Sequence, residues 1–311
     1  MPWKQDYTIS NEKSLSDAEL RWPDDHRCCF AITVDLSVAP GPDGIRPRDL
    51  QTADAFFALN DGLDQLRSVL RRHGFKATFA VPAVLAELHS ELLPELIGEG
   101  HEIASGGFRH EDVSGLTRDA EAARIAATTE ILTRVTGARP LGWYSLPRQG
   151  DPFAGGTISP HTMDLLIDAG YSWFGNGLAD DIPHYWVTDF ATRAILALPY
   201  YYHFDDQFFL MFPSKGTGLE NADSLFRNWR AEFDAQYKRG RHFSMTLHPQ
   251  GSGWCNRAEI LDRFLAHARG FPNLWNPTGT ECATYWQATY PAGTHLALEP
   301  SIWVDHPGSL S

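Results

Sequence analysis

Nothing in this 311-residue chain approaches a run of about 18 apolar residues, so no transmembrane helix is expected. The start, Met1-Pro-Trp-Lys-Gln-Asp6, lacks the basic opening and apolar stretch of a secretion signal. Cysteine is scarce: Cys28, Cys29, Cys255 and Cys282 form no CxxC pair, and adjacent cysteines do not readily bridge each other. That argues against a disulfide framework and for a reduced, cytoplasmic setting. No basic run offsets the formal net charge of −13, so nucleic-acid phosphates and anionic membranes are repelled. Internal repeats and low-complexity blocks are missing as well.

What is present is a core-forming chain, 43% hydrophobic and 21% charged. Residues 1–311 read as one domain, since α/β barrels run to this length as single units. Residues 1–26, with Trp3 and Trp22, read as an arm laid over a neighbouring surface, neither strand nor helix. Residues 287–311, with Trp303, read as an extended tail.

Arg27 to Asp35 is a continuous apolar run ending in a carboxylate, the pattern of a buried parallel strand delivering a polar group at its C-terminal end. Pro40, Gly41, Pro42, Gly44 and Pro47 mark 38–61 as a loop. Leu63, Leu66 and Leu70 then recur at helical spacing up to Gly74. Strands follow at 76–81 and 101–104, with helices through Leu92 to Leu96 and Ile125 to Val135. Later come strands near 171–175, 194–198 and 242–247 and helices over 159–169, 221–239 and 256–268. This rhythm predicts parallel strands with covering helices, barrel or open sheet, and chemistry at the C-terminal strand ends.

Five segments in order carry a resemblance: Thr33-Val-Asp35, Lys76 to Val81, Gly100 to Glu111, Gly142-Trp-Tyr144 and Leu247-His-Pro-Gln250. Together they resemble the polysaccharide deacetylase (NodB-homology, carbohydrate esterase family 4) superfamily. Gly142 to Arg148, Asp180 to Trp186, Leu198-Pro-Tyr200 and Thr284-Tyr-Trp286 are similar to its cytosolic branch of allantoinase-like enzymes, cyclic imidases and peptidoglycan-deacetylase-like proteins. The resemblance implies an α/β fold, a distorted (β/α) barrel of the NodB type, and a hydrolase acting on C–N bonds.

Sugar deacetylases of that superfamily hold a divalent metal with one Asp and two His spaced H-x-x-x-H. Here the metal-binding Asp position is Ser37 and the first His position is Gly106, with only His110 kept. A hydroxyl and a glycine do not replace a carboxylate and an imidazole, so metal-free chemistry with no cofactor is expected. The alternative is zinc held by Asp35, His110 and a third residue such as Asp112 or Asp206, acting on an amino sugar or peptidoglycan. A second alternative is an inactive barrel that binds a metabolite.

The resemblance makes Asp35 the general base and His248 the general acid; without it each is an ordinary strand-end polar residue. Burial is expected to raise the Asp35 pKa. His110 is expected as a third catalytic group, an oxyanion donor or otherwise a satisfied loop histidine. Arg148, Tyr144, Trp143, Ser37, Gly106 and Arg109 are the candidate substrate-binding positions, Arg148 by clasping a carbonyl or carboxylate with its planar fork. Asp180, Asp181, His184, His203, Asp205 and Asp206 read as solvated by default, His203 and Asp206 being candidate pocket residues. His101 reads as structural and Cys255 as inert. Trp173, Tyr200, Tyr201 and Tyr202 read partly as core and partly as ring-stacking surface. The expected substrate is a small cyclic amide, imide or ureide, and the branch resembled implies a homotetramer.

Overall fold

A computed structural model describes residues 7–8, 15–38, 41, 43–148, 151, 156–188, 193–210 and 221–295. Ten strands are present among them: β1 (Tyr7–Thr8), β2 (Cys28–Asp35), β3 (Thr78–Val81), β4 (Glu102–Ser105), β5 (Gly142–Trp143), β6 (Trp173–Gly177), β7 (His184–Thr188), β8 (Arg193–Pro199), β9 (His242–Leu247) and β10 (Leu274–Trp275). They form one sheet in the order β1-β7-β8-β6-β5-β4-β3-β2-β10, with β9 also paired to β2. All pairings are parallel except β1 with β7 and β7 with β8.

The expected distorted barrel is recognisable in this α/β sheet, although the described strands do not close it with a continuous ladder. An isolated parallel bridge, Asp205 to Thr246, connects the segment after β8 to β9. Residues alternate along β2 and β9 as the pleat requires. Phe30, Ile32, Val34, Phe243, Met245 and Leu247 pack outward in the main core. They meet Leu66 and Leu70 of α2 (Leu63–His73), Phe233 of α8 (Ala222–Arg239) and Phe264 of α10 (Cys255–Arg269). Cys29 instead joins a second cluster inside the curve of the sheet, with Tyr144, Trp173 and Trp286. Among the described residues no helix is long and apolar enough to cross a membrane.

Three expectations need correction. The segment read as a loop over 38–61 contains α1 (Ala53–Phe57) and a π-helical turn over Ala58–Gly62, started by the Thr52 hydroxyl accepting from the Ala55 amide at 3.2 Å. The glycines and prolines that suggested a loop all precede Arg48. The arm includes strand β1, while Leu20 and Trp22 are buried and Trp22 Nε1 donates to the Gly240 carbonyl at 2.9 Å. The tail begins inside α11 (Gly279–Thr289) and adds α12 (Ala292–His295). Trp3 and Trp303 lie outside the described residues.

Candidate active site

The register of β2 against β9 builds the site. Val34 lies opposite Leu247, so the next step along both strands brings Asp35 and His248 together. Pro249 opens α9 (Pro249–Ser252) directly behind His248, ending the strand there. His248 Nε2 lies 3.2 Å from Asp35 Oδ2, an ion pair by distance although the N–H is not well aimed at the carboxylate. On its other side, His248 Nδ1 lies 2.7 Å from Asp206 Oδ1, and the His248 amide donates to Asp206 Oδ2 at 2.9 Å. Asp205 Oδ1 is 3.5 Å from the same ring nitrogen. All four side chains are at most 1% exposed.

Electrostatics set the protonation of this chain of groups. Burial works against charge on His248, but Asp205, Asp206 and Asp35 overcome it and hold its pKa well above the ordinary histidine range. Burial likewise works to raise Asp35; the His248 contact, the charges of His110 and His248 and the Ser37 amide outweigh it and pull Asp35 down to about 2. The expected upward shift of Asp35 is therefore corrected: the opposite charges beside it win over desolvation. Burial pushes Asp205 up to about 6, with the His248 charge opposing and Asp206 adding to the rise. Asp205 also accepts hydrogen bonds from Tyr200 Oη and, at 3.0 Å, from Gln207 Nε2.

Asp205 is not the solvated carboxylate expected by default, and Asp206, a candidate pocket residue, lies at the site. Both are fully buried, and Asp206 orients the ring of His248. The available signal was the aromatic run Tyr200-Tyr-Tyr-His-Phe204 ahead of them, whose ends, Tyr200 and Phe204, are buried.

His110 sits in the left-handed region at φ 58° and is 4% exposed. Burial lowers its pKa, with the Asp35 charge opposing. Its Nε2 is buried without a protein partner. His110, Gly106, Tyr144 and Arg148 line a cleft that continues between Glu121 and Arg124.

Arg148 does not reach out as a substrate clamp. Its fork is engaged internally: Nη2 donates to Asp151 Oδ1 at 2.9 Å and Thr157 Oγ1 at 2.6 Å, and Nη1 to the His110 carbonyl at 3.2 Å. These contacts hold the strained His110 turn in place. Ser37 donates from its amide to Asp35 Oδ1 and from its hydroxyl to Asp35 Oδ2, both at 2.8 Å, while its carbonyl accepts from Gln250.

The other candidates divide by face. Tyr144 points inward, bonding the Thr33 hydroxyl at 3.0 Å and meeting Trp173 edge-on. Trp143 points the other way, edge-on to Tyr171, which suits packing better than ring recognition. Arg109 is half-buried, and its carbonyl accepts from Ile45. Asp180 and Asp181 are half-buried partners of Arg241, not solvated carboxylates. His184 is buried, whereas His203 is mostly exposed and stacks on Tyr201. Tyr200 is buried in the site, Tyr201 donates to the Asp181 and His242 carbonyls, and Tyr202 is exposed. His101 is structural, its Nδ1 accepting from the Ala77 amide, and Cys255 is exposed.

The metal set of the sugar deacetylases does not fit this frame. Ser37 caps Asp35 where a second carboxylate would stand. At Gly106 a Cβ would already lie 3.0 Å from the Pro82 nitrogen and the Val81 carbonyl carbon, so no histidine enters without moving the backbone of β3. Among the described residues no set of three His, Cys, Asp or Glu ligand atoms within 4.8 Å of one another includes both Asp35 and His110, and Asp112 lies 3.9 Å from the Arg148 guanidinium instead. Asp205, Asp206 and His248 do converge, but there His248 Nδ1 is already taken by Asp206.

Residues 50–171 match the polysaccharide deacetylase family model, a stretch that includes Gly106, His110 and Arg148 and stops short of His248. A peptidoglycan deacetylase of Helicobacter pylori is 23% identical over 256 residues, covering 74% of this chain and 83% of that protein. A solved structure from Mycobacterium smegmatis, provisionally named a polysaccharide deacetylase, superposes with a TM-score of 0.76 at 25% identity, covering 91% of this chain and 96% of that one. The structure of an allantoinase superposes with a TM-score of 0.74 at 22% identity over 90% of this chain and 95% of that one, a likeness of fold. Over residues 50–171 the chain is thus similar to the polysaccharide deacetylase family, and the likeness of fold extends over nine-tenths of its length.

Proposed function

We propose that this chain is a hydrolase of the polysaccharide deacetylase family and that it opens a small cyclic amide, imide or ureide, using protein acid–base groups rather than the metal of the sugar deacetylases. The observation that supports this most is the buried Asp35–His248–Asp206 chain, standing beside a Gly106 position with no room for the missing ligand.

In this reading, substrate and water enter between Asp35 and His248. Breaking their 3.2 Å contact removes part of what holds Asp35 at about 2 and makes it a better base. Asp35 takes a proton as the water oxygen bonds to the carbonyl carbon. The carbonyl π pair moves onto oxygen, where the unpartnered His110 Nε2, carrying its proton, donates to the oxyanion. The oxyanion pair then re-forms the carbonyl as the C–N bond breaks, and His248 gives its Nε2 proton to the departing nitrogen. Asp35 returns the water's proton to His248, restoring both groups.

Imide and ureide nitrogens leave more readily than a plain amide nitrogen. Dispensing with a Lewis acid, worth several kcal/mol (roughly, for the metal contribution), is therefore easier for them than for an N-acetyl sugar. Screening hydantoin-like ureides, dihydropyrimidines, succinimide-like imides and lactams tests the reading, with turnover of at least one ring expected and inertness toward all of them contradicting it. Hydrolysis of N-acetylglucosamine oligomers alone would favour the second reading, supported by the peptidoglycan deacetylase relative. We further propose a cytoplasmic homotetramer, for which a monomeric elution volume would be the contrary result.

A further inference from the structure

The β2–β9 pair carries a second histidine at its opposite end. Cys29 lies directly across from His242, as Asp35 lies across from His248. Six residues separate the two levels on each strand, an even number that keeps both on the inner face and puts them about 20 Å apart. Cys282 reaches the lower level from α11, whose buried face also carries Gly279, Ala283 and Trp286. One ligand atom from each of Cys29, His242 and Cys282 lies within 4.8 Å of the other two.

We propose that Cys29, His242 and Cys282 form a binding site for a thiophilic divalent cation of the zinc class, at the base of the barrel and separate from the hydrolytic centre.

Three observations carry this. First, His242 is 1% exposed and both its ring nitrogens lack a hydrogen-bond partner, a costly state that a metal–nitrogen bond relieves. Second, the donor set is two sulfurs and one imidazole, which suits zinc in preference to the hard cations. Third, the surroundings are apolar: the His242 ring faces Trp22 at 6.3 Å, and Trp22 faces Trp286 at 5.7 Å. A divalent ion held by two thiolates and a neutral imidazole carries no net charge, the state such surroundings favour.

Binding releases two protons to solvent as two S–H bonds give way to two metal–thiolate bonds and one nitrogen lone pair completes the third. One tetrahedral position is left for a small ligand such as water. A Cys29–Cys282 disulfide is the competing occupant, but it gives His242 no partner.

All three ligands are at most 1% exposed, so the ion enters during folding. The full chain, expressed in zinc-supplemented medium and purified under reducing conditions without chelator, is assayed for bound metal. Roughly one zinc per chain is expected. The content falls at least about tenfold in His242→Gln and in the Cys29→Ser/Cys282→Ser double variant, and stays unchanged in Asp206→Asn. Because the double variant can fail to fold, the wild-type chain is also expressed in cobalt(II)-supplemented medium, so that the ion is present as the chain folds, and thiolate-to-cobalt charge-transfer absorption is expected. Wild-type protein without zinc or the cobalt band would overturn the proposal. So would a native mass showing the Cys29–Cys282 disulfide, or zinc retained in the double variant. A failed cyclic-substrate screen leaves the proposal untouched.

Discussion

Asp35 Oδ2 and His248 Nε2 face each other across 3.2 Å at the ends of two neighbouring parallel strands, with Asp206 gripping the far side of the imidazole. Asp35 and Asp206 thus flank the His248 ring, and with Asp205 their charges hold its pKa well above the ordinary histidine range. Each group's pKa depends on the other, and that coupling makes the site testable.

Asp206 keeps the proton on His248 and the ring in place. Asp206→Asn removes a charge that raises the His248 pKa, so the alkaline limb of the pH–rate profile moves to lower pH. We expect kcat to fall by about 10²-fold as the ring loses its orienting carboxylate. A profile unchanged in position would assign Asp206 a packing role only.

Ser37 donates two hydrogen bonds to Asp35, and both favour the ionised carboxylate. Ser37→Ala keeps the amide bond and loses the hydroxyl bond. The acidic limb of the rate profile should therefore move up, by about one pH unit or less. Rates measured across the acid range decide this; a downward shift would contradict it.

Asp35 also links stability to pH. Its folded pKa of about 2 lies below the ordinary 3.8, so its contribution is fully present above 3.8 and lost as pH falls through about 2. That contribution is on the order of 2 kcal/mol. Denaturant unfolding should show Asp35→Asn less stable than wild type near neutrality (about pH 6), with the gap closing as pH falls from 3.8 toward 2. A gap independent of pH would mean that Asp35 is not held ionised by its neighbours.

Gly106 is tight against β3. Gly106→His, which restores a family ligand, should lower unfolding stability by about 1–3 kcal/mol, and Gly106→Ala should act in the same direction. Urea unfolding curves check both. A stable Gly106→His chain that gained zinc-dependent deacetylation would show that the pocket accepts the metal after all.

Much of this was legible in the sequence. Apolar strands ending in Asp35 and His248 stand out because a strand buried on both faces leaves its first polar residue at its mouth. Their pairing was not legible, since register is a property of two strands together. The antiparallel strand β7 escaped because its residues show no period-two alternation: all five are buried. Asp205 and Arg148 were misplaced for one reason, that a charged residue next to a loop carries no sign of whether it finds a partner inside. The Cys29–His242–Cys282 cluster was hidden more deeply, Cys29 lying more than two hundred residues from the other two and joined to them by the β2–β9 register and the packing of α11.

The central claim is that protein groups alone carry the hydrolysis. Its most direct test is steady-state turnover of the imide and ureide panel by chelator-treated wild-type chain beside Asp35→Asn. The account predicts that at least one ring is opened at the same rate before and after chelation, and at least about 10²-fold more slowly by Asp35→Asn. Turnover abolished by chelation and restored by zinc, in wild type and in the Cys29→Ser/Cys282→Ser variant alike, would contradict it.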